Sequence, residues 1–188
     1  MNASDANHDY YHYVTEYIKS KNQNVKINPR TNVSPWEQAD DNPPTAEREK
    51  VFNDTIKPLL SADTDLVIIQ LGDNVNNDVR ISTLSNDAKE LLQEIKSVSP
   101  KAVIYWVYGW FGSQDQVFTP IQKACDAEGV TGINISDLNV KENQGTMGST
   151  FTGLDGKTYT VTNPGVAAHP GNSGHKAIAD RIINNFDF

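Results

Sequence analysis

The six residues Leu66–Leu71 (LVIIQL) limit the fold of this chain more than any other stretch. They are almost continuously apolar and rich in β-branched side chains, the pattern of a strand buried on both faces. A second such run, KAVIYWVYGW at 101–110, and a shorter one, VTGINIS at 130–136, follow it. Between them lie segments with apolar residues at helical spacing. STLSNDAKELLQEIKSVSP turns Leu91, Leu92 and Ile95 to one side. TPIQKACDAEG is expected to start at an N-cap Thr119 with Pro120 in the first position and to stop at Gly129. Strand, helix, strand, helix predicts a parallel sheet with helices on both faces, a three-layer α/β/α arrangement.

Upstream, DYYHYVTEYIKSK reads as a helix with Tyr10, Tyr13, Val14, Tyr17 and Ile18 inward. NVKIN at 24–28 reads as a short strand, and TAEREKVFNDTIKPLL as a helix with Pro58 in its last turn. The stretch from about Asp137 to Ala168 reads as long and irregular, and SGHKAIADRIINNF as a closing helix capped by Ser173. With 188 residues, no repeat and no long linker, the chain is expected to form a single domain over 1–188.

In such sheets ligands bind beyond the carboxyl ends of the strands. Three polar loops follow strands: PRTNVSPW, GDNVNN and GWFGSQD. His169, in AAHPGNSGH before the last helix, precedes a proline that holds its backbone extended. A histidine projected from such a loop can take a proton from a hydroxyl and return it to a leaving group. Composition removes other classes. A net charge of −8 and no basic run argue against nucleic acid. No apolar stretch approaches the ~20 residues that cross a bilayer. MNASDANHDYYHY has neither the basic start nor the apolar run of a secretory leader. The single Cys125 cannot form an internal disulfide and reads as a small core residue. His8 and His12 stand four apart beside Asp5 and Asp9, but the expectation is no metal and no organic cofactor; His175 reads as a packing residue.

LVIIQLGDNVNN, with Asn two residues after Gly, followed at the C-terminus by HPGNSGHKAIADRI, resembles the SGNH (GDSL-type) hydrolases, and within them the small bacterial carbohydrate esterases. SDANHDYYHYV resembles the helix that follows the nucleophile region in those esterases. The resemblance covers nearly the whole chain in the right order. It implies a flavodoxin-like α/β/α fold and an ester hydrolase that removes acetyl groups from a carbohydrate or another small ester. Asn74 matches the oxyanion-donating Asn, Gly72 the glycine of that block, and His169 the general base. Asn32 matches, poorly, a further oxyanion position. Its other reading is a turn residue. Trp36, Tyr108 and Trp110, on or beside the rim loops, are candidate sugar platforms, or else core aromatics. A secreted or periplasmic location also follows from the resemblance.

Two departures stand out. Where the family often carries an acid three residues before the histidine, this chain has Val166, which leaves a backbone carbonyl to orient the ring. The second concerns the nucleophile. No GDS block is present; Ser4 follows no strand, and Ser113 is not in a G-x-S-x-G elbow. The serine is therefore expected to lie outside this chain, together with the first, central strand. Its loss would part NVKIN from LVIIQL by about two strand spacings of ~4.8 Å. A second chain, an outside segment or a domain-swapped copy is then expected to fill the gap. On this reading the 188 residues alone are inactive. The alternatives are an inactive relative that binds carbohydrate or protein, and a fragment without function of its own.

Overall fold

The computed structural model describes residues 3–112, 115–153 and 155–187. It is a mixed α/β protein whose contacts divide into two compact units, Pro29–Asn134 and Met1–Asn28 with Ile135–Phe188.

The unit Pro29–Asn134 holds the parallel sheet. In chain order it contains α2 (Ser34–Glu37), α3 (Thr45–Val51), β1 (Leu66–Gln70), α4 (Asp78–Ser82), α5 (Leu84–Val98), β2 (Val103–Tyr108), α6 (Asp115–Glu128) and β3 (Thr131–Asn134). The strands run parallel in the order β1-β2-β3, with Leu66 opposite Val103 and Tyr105 opposite Thr131. α5 and α6 pack against each other, and Leu91, Leu92, Ile95, Ile121 and Cys125 sit at 0–1% exposure in the resulting core. The three strands thus fall where their unbroken apolar runs put them. Burial pushes the Cys125 thiol up to about 12, which keeps it protonated and inert.

Several expectations are corrected here. NVKIN forms no strand among the described residues. Strand identity depends on a hydrogen-bonded neighbour, and among the described residues β1 pairs with β2 as its one strand partner. β1 is accordingly an edge strand, mostly half-buried, where burial on both faces is the sequence expectation. α6 begins at Asp115, a turn before Thr119, so Pro120 lies inside the helix. The segment 45–59 is one helical stretch but tightens and loosens, passing from α3 through a π turn (Phe52–Ile56) to a 3₁₀ turn (Lys57–Leu59) at Pro58.

The other unit pairs α1 (Tyr10–Lys21) with α8 (Asn172–Ile183). Asp9 caps α1 by accepting the His12 N–H at 2.8 Å. Tyr10 stacks on the buried His175 ring at 5.9 Å. The stretch expected to be irregular contains a hairpin, β4 (Thr150–Thr152) with β5 (Thr158–Thr160), and the short helix α7 (Pro164–Ala167). Ser173 does not cap α8. Gly171 stands at that position, and the Ser173 hydroxyl donates to the Glu142 carbonyl at 2.6 Å.

Candidate functional site

β1 delivers the chain into a tight turn at Gly72, whose φ of +132° lies outside the range of residues with a Cβ. A Cβ there would also meet Ile121 Cδ1 at 3.0 Å. The turn closes with the Val75 N–H on the Gly72 carbonyl at 3.2 Å, and the fully buried Val75 pins it to the core. An apolar residue inside a polar run marks a folded turn, not a solvated loop.

One carboxylate organises this turn. Glu37, 3% exposed, accepts the Gly72 N–H, the Asn74 N–H at 3.3 Å and an Asn74 Nδ2 N–H at 2.8 Å. Arg80 holds the far side, donating to the Asn74 carbonyl at 3.0 Å and the Asn76 side chain at 2.9 Å while gripping Asp40 with two bonds of 2.8 Å. Asp73 accepts the Phe111 N–H at 3.2 Å. Burial pushes its carboxyl up to about 6, the charge of Glu37 adding to the effect and the N–H groups of Phe111 and Gly109 opposing it.

Glu37 reaches the turn because its neighbour Trp36 is locked in the core. The Arg48 guanidinium lies 4.7 Å over the Trp36 ring, and its Nε donates to the Trp36 carbonyl at 3.1 Å. Trp36 meets Trp106 edge-on at 6.1 Å, and Trp106 Nε1 donates to the Leu71 carbonyl at 2.9 Å. Arg48 is itself buried against Asp87 at 2.6 Å, with Thr45 and Thr83 donating to the same carboxylate. Both the carboxylate and the turn it holds are therefore tied to one core. A depression of about 290 Å³ opens above this ion pair, with Glu49, Glu90 and Glu94 on its lip. Its charged floor is already paired.

Several sequence candidates take other roles. Trp36, Tyr108 and Trp110 are 1%, 4% and 1% exposed. Rings this enclosed fill the interior, the second of the two roles the sequence allows them. Tyr108 donates its hydroxyl to Gln122 at 2.6 Å and packs on Phe118. Asn32 is exposed and accepts the Ser34 N–H at 3.1 Å, the turn role and not a strand-end donor. The Gly72 N–H is bonded to Glu37, so Gly72 shapes the turn, and the Asn74 side chain also donates to that carboxylate.

The chain matches no protein-family model and no curated protein.

His169 belongs to the other unit. Asn163 caps α7, accepting from Gly165 and Val166, so that the Gly165 carbonyl meets His169 Nδ1 at 2.9 Å. The backbone around the ring is fixed too: the His169 N–H donates to Val166 and its carbonyl accepts from Gly145, at 3.0 and 2.9 Å. A carbonyl can only accept, so in the neutral ring Nδ1 carries the hydrogen and Nε2 the lone pair. The half-buried His169 ring is thus oriented by a backbone carbonyl, with no acid at Val166. Ser4 bonds Asp5 and Asn172, and Ser113 lies outside the described residues. His8 pairs with Asp5 at 2.8 Å, and no metal-holding group of His, Cys, Asp or Glu occurs among the described residues.

Glu37 and Asp73 escape the sequence reading. Glu37 ends the short helix α2, 35 residues from Gly72, and no spacing rule links them. Asp73 reads as a surface turn residue. The one signal for its inward packing is the neighbouring Val75.

Proposed function

We propose that this chain is part of an SGNH-type ester hydrolase of flavodoxin-like architecture that removes acetyl groups from a carbohydrate. His169 is the general base and acid, taking a proton from a serine on a segment outside residues 1–188 and returning it to the leaving alcohol. The Asn74 side chain donates to the oxygen that becomes negative in the tetrahedral intermediate. Gly72 makes the turn that presents it. The observation that carries this reading is the orientation of His169. A backbone carbonyl on Nδ1 orients the ring and fixes its tautomer, as an acid does in a triad, and this puts the lone pair of the neutral ring on Nε2. On the donor side the reading uses only the Asn74 side chain, because the Gly72 and Asn74 backbone N–H groups are already taken by Glu37.

The reading predicts an in-frame Gly-Asp-Ser upstream of Met1. The protein expressed from the whole reading frame should be labelled by a fluorophosphonate, and should lose the label on His169→Ala. A stop codon or unrelated sequence upstream would remove the nucleophile from the proposal and sink it.

A further inference from the structure

The Asn74 amide nitrogen carries two N–H groups, and one of them is held by Glu37 Oε2 at 2.8 Å. We propose that Glu37 is a positioning residue: its carboxylate fixes which way the Asn74 amide faces, so that the second N–H is aimed at the acyl oxygen. The proposal rests on the ester-hydrolase reading above.

An ionised carboxylate accepts and cannot donate. Glu37 Oε1 takes the Gly72 and Asn74 backbone N–H groups, and Oε2 takes the Asn74 side chain. Were the Asn74 amide to flip, its oxygen would face Oε2, two acceptors in contact with no hydrogen between them. At a 3%-exposed carboxylate that arrangement is costly. The flip is thereby suppressed, and the nitrogen stays on the Glu37 side with its second N–H pointing away. The carboxylate cannot swing to accommodate a flip either, because its other oxygen is bonded to the backbone of the turn and Trp36 next to it is clamped by Arg48. Preorganised donors are what make such sites effective, because no reorganisation is needed as charge develops.

Glu37→Gln separates positioning from mere support. The carboxamide oxygen of the new side chain can still accept the two backbone N–H groups, which keeps the turn. Its NH₂ then faces Asn74, whose amide must invert to present oxygen. The expected result in the protein from the whole reading frame is an unchanged melting curve and a KM for p-nitrophenyl acetate within about twofold. The kcat should fall by up to the ~10²-fold that loss of one oxyanion donor typically costs. Glu37→Asp, which keeps the acceptor chemistry, should recover part of the rate. Independently of activity, the side-chain amide signals of Asn74 in a ¹H–¹⁵N spectrum should shift strongly in Glu37→Gln, while the backbone signals of Val75 and Asn76 stay in place.

Unchanged Asn74 side-chain signals, or an unchanged kcat, would overturn the positioning role. Failure of the function reading looks different: hydrolysis is then absent from the wild type or indifferent to His169→Ala. In that case the role toward an acyl oxygen falls with it, and the spectral result still decides whether Glu37 sets the Asn74 amide.

Discussion

Gly72 and Asp73 are adjacent and meet opposite constraints. Gly72 needs to lack a side chain, because its φ is +132° and a Cβ would press on Ile121. Gly72→Ala should therefore destabilise the protein by about 1–3 kcal/mol, read as a lower urea midpoint at unchanged slope. Asp73 needs to keep its carboxyl in a half-buried place that disfavours charge. Its pKa is raised from 3.8 to about 6 in the folded chain, so between those values the native state holds more protons than the unfolded one. The stability it contributes is present below about 3.8 and is lost as pH rises through about 6. Asp73→Asn removes that dependence. Its melting temperature relative to wild type should rise by a few °C between about pH 4 and about pH 7.5. A constant difference across that range would show that Asp73 titrates normally. Neither carboxylate at this turn is legible from the sequence. Asp73 is one of several Asn and Asp residues in a polar run, and only the packing of Val75 tells which of them is enclosed.

The short helix α2 positions the site more than its length suggests. Four residues have little helical stability of their own. What fixes them is Arg48, which bonds the Trp36 carbonyl, covers its ring and pairs with Asp87 in the core. Removing one partner of a buried pair leaves an uncompensated charge and typically costs roughly 3–5 kcal/mol. Arg48→Met should produce a loss of about that size in urea unfolding, and adding Asp87→Leu should recover part of it because no lone charge remains. The elements with unbroken apolar periodicity are readable in the sequence: β1, β2, β3 and α5 lie within a residue or two of their expected positions. NVKIN is not, since its alternation of Val25 and Ile27 describes a strand only if another strand lies beside it. The start of α6 is misplaced by the sequence rule because Thr-Pro is a favoured helix opening, yet a proline well inside α6 is tolerated.

For the molecule as a whole, the alternating order of the sheet unit is legible and its chemistry only half so. His169 and Asn74 are candidates in the sequence because each sits in a short motif with a physical purpose. Glu37 is not, because a carboxylate that serves a turn 35 residues away leaves no local pattern. The acidic surface, with a net charge of −8, suits a neutral or cationic ligand better than a polyanion, and no helix among the described residues is long and apolar enough to cross a membrane. For the proposed esterase the decisive quantity is a rate. Hydrolysis of p-nitrophenyl acetate by the protein from the whole reading frame should fall to near background in His169→Ala, and by ~10²–10³-fold in Asn74→Ala, both variants remaining folded. Hydrolysis that persists at the wild-type rate in either variant would contradict the assignment of base and donor.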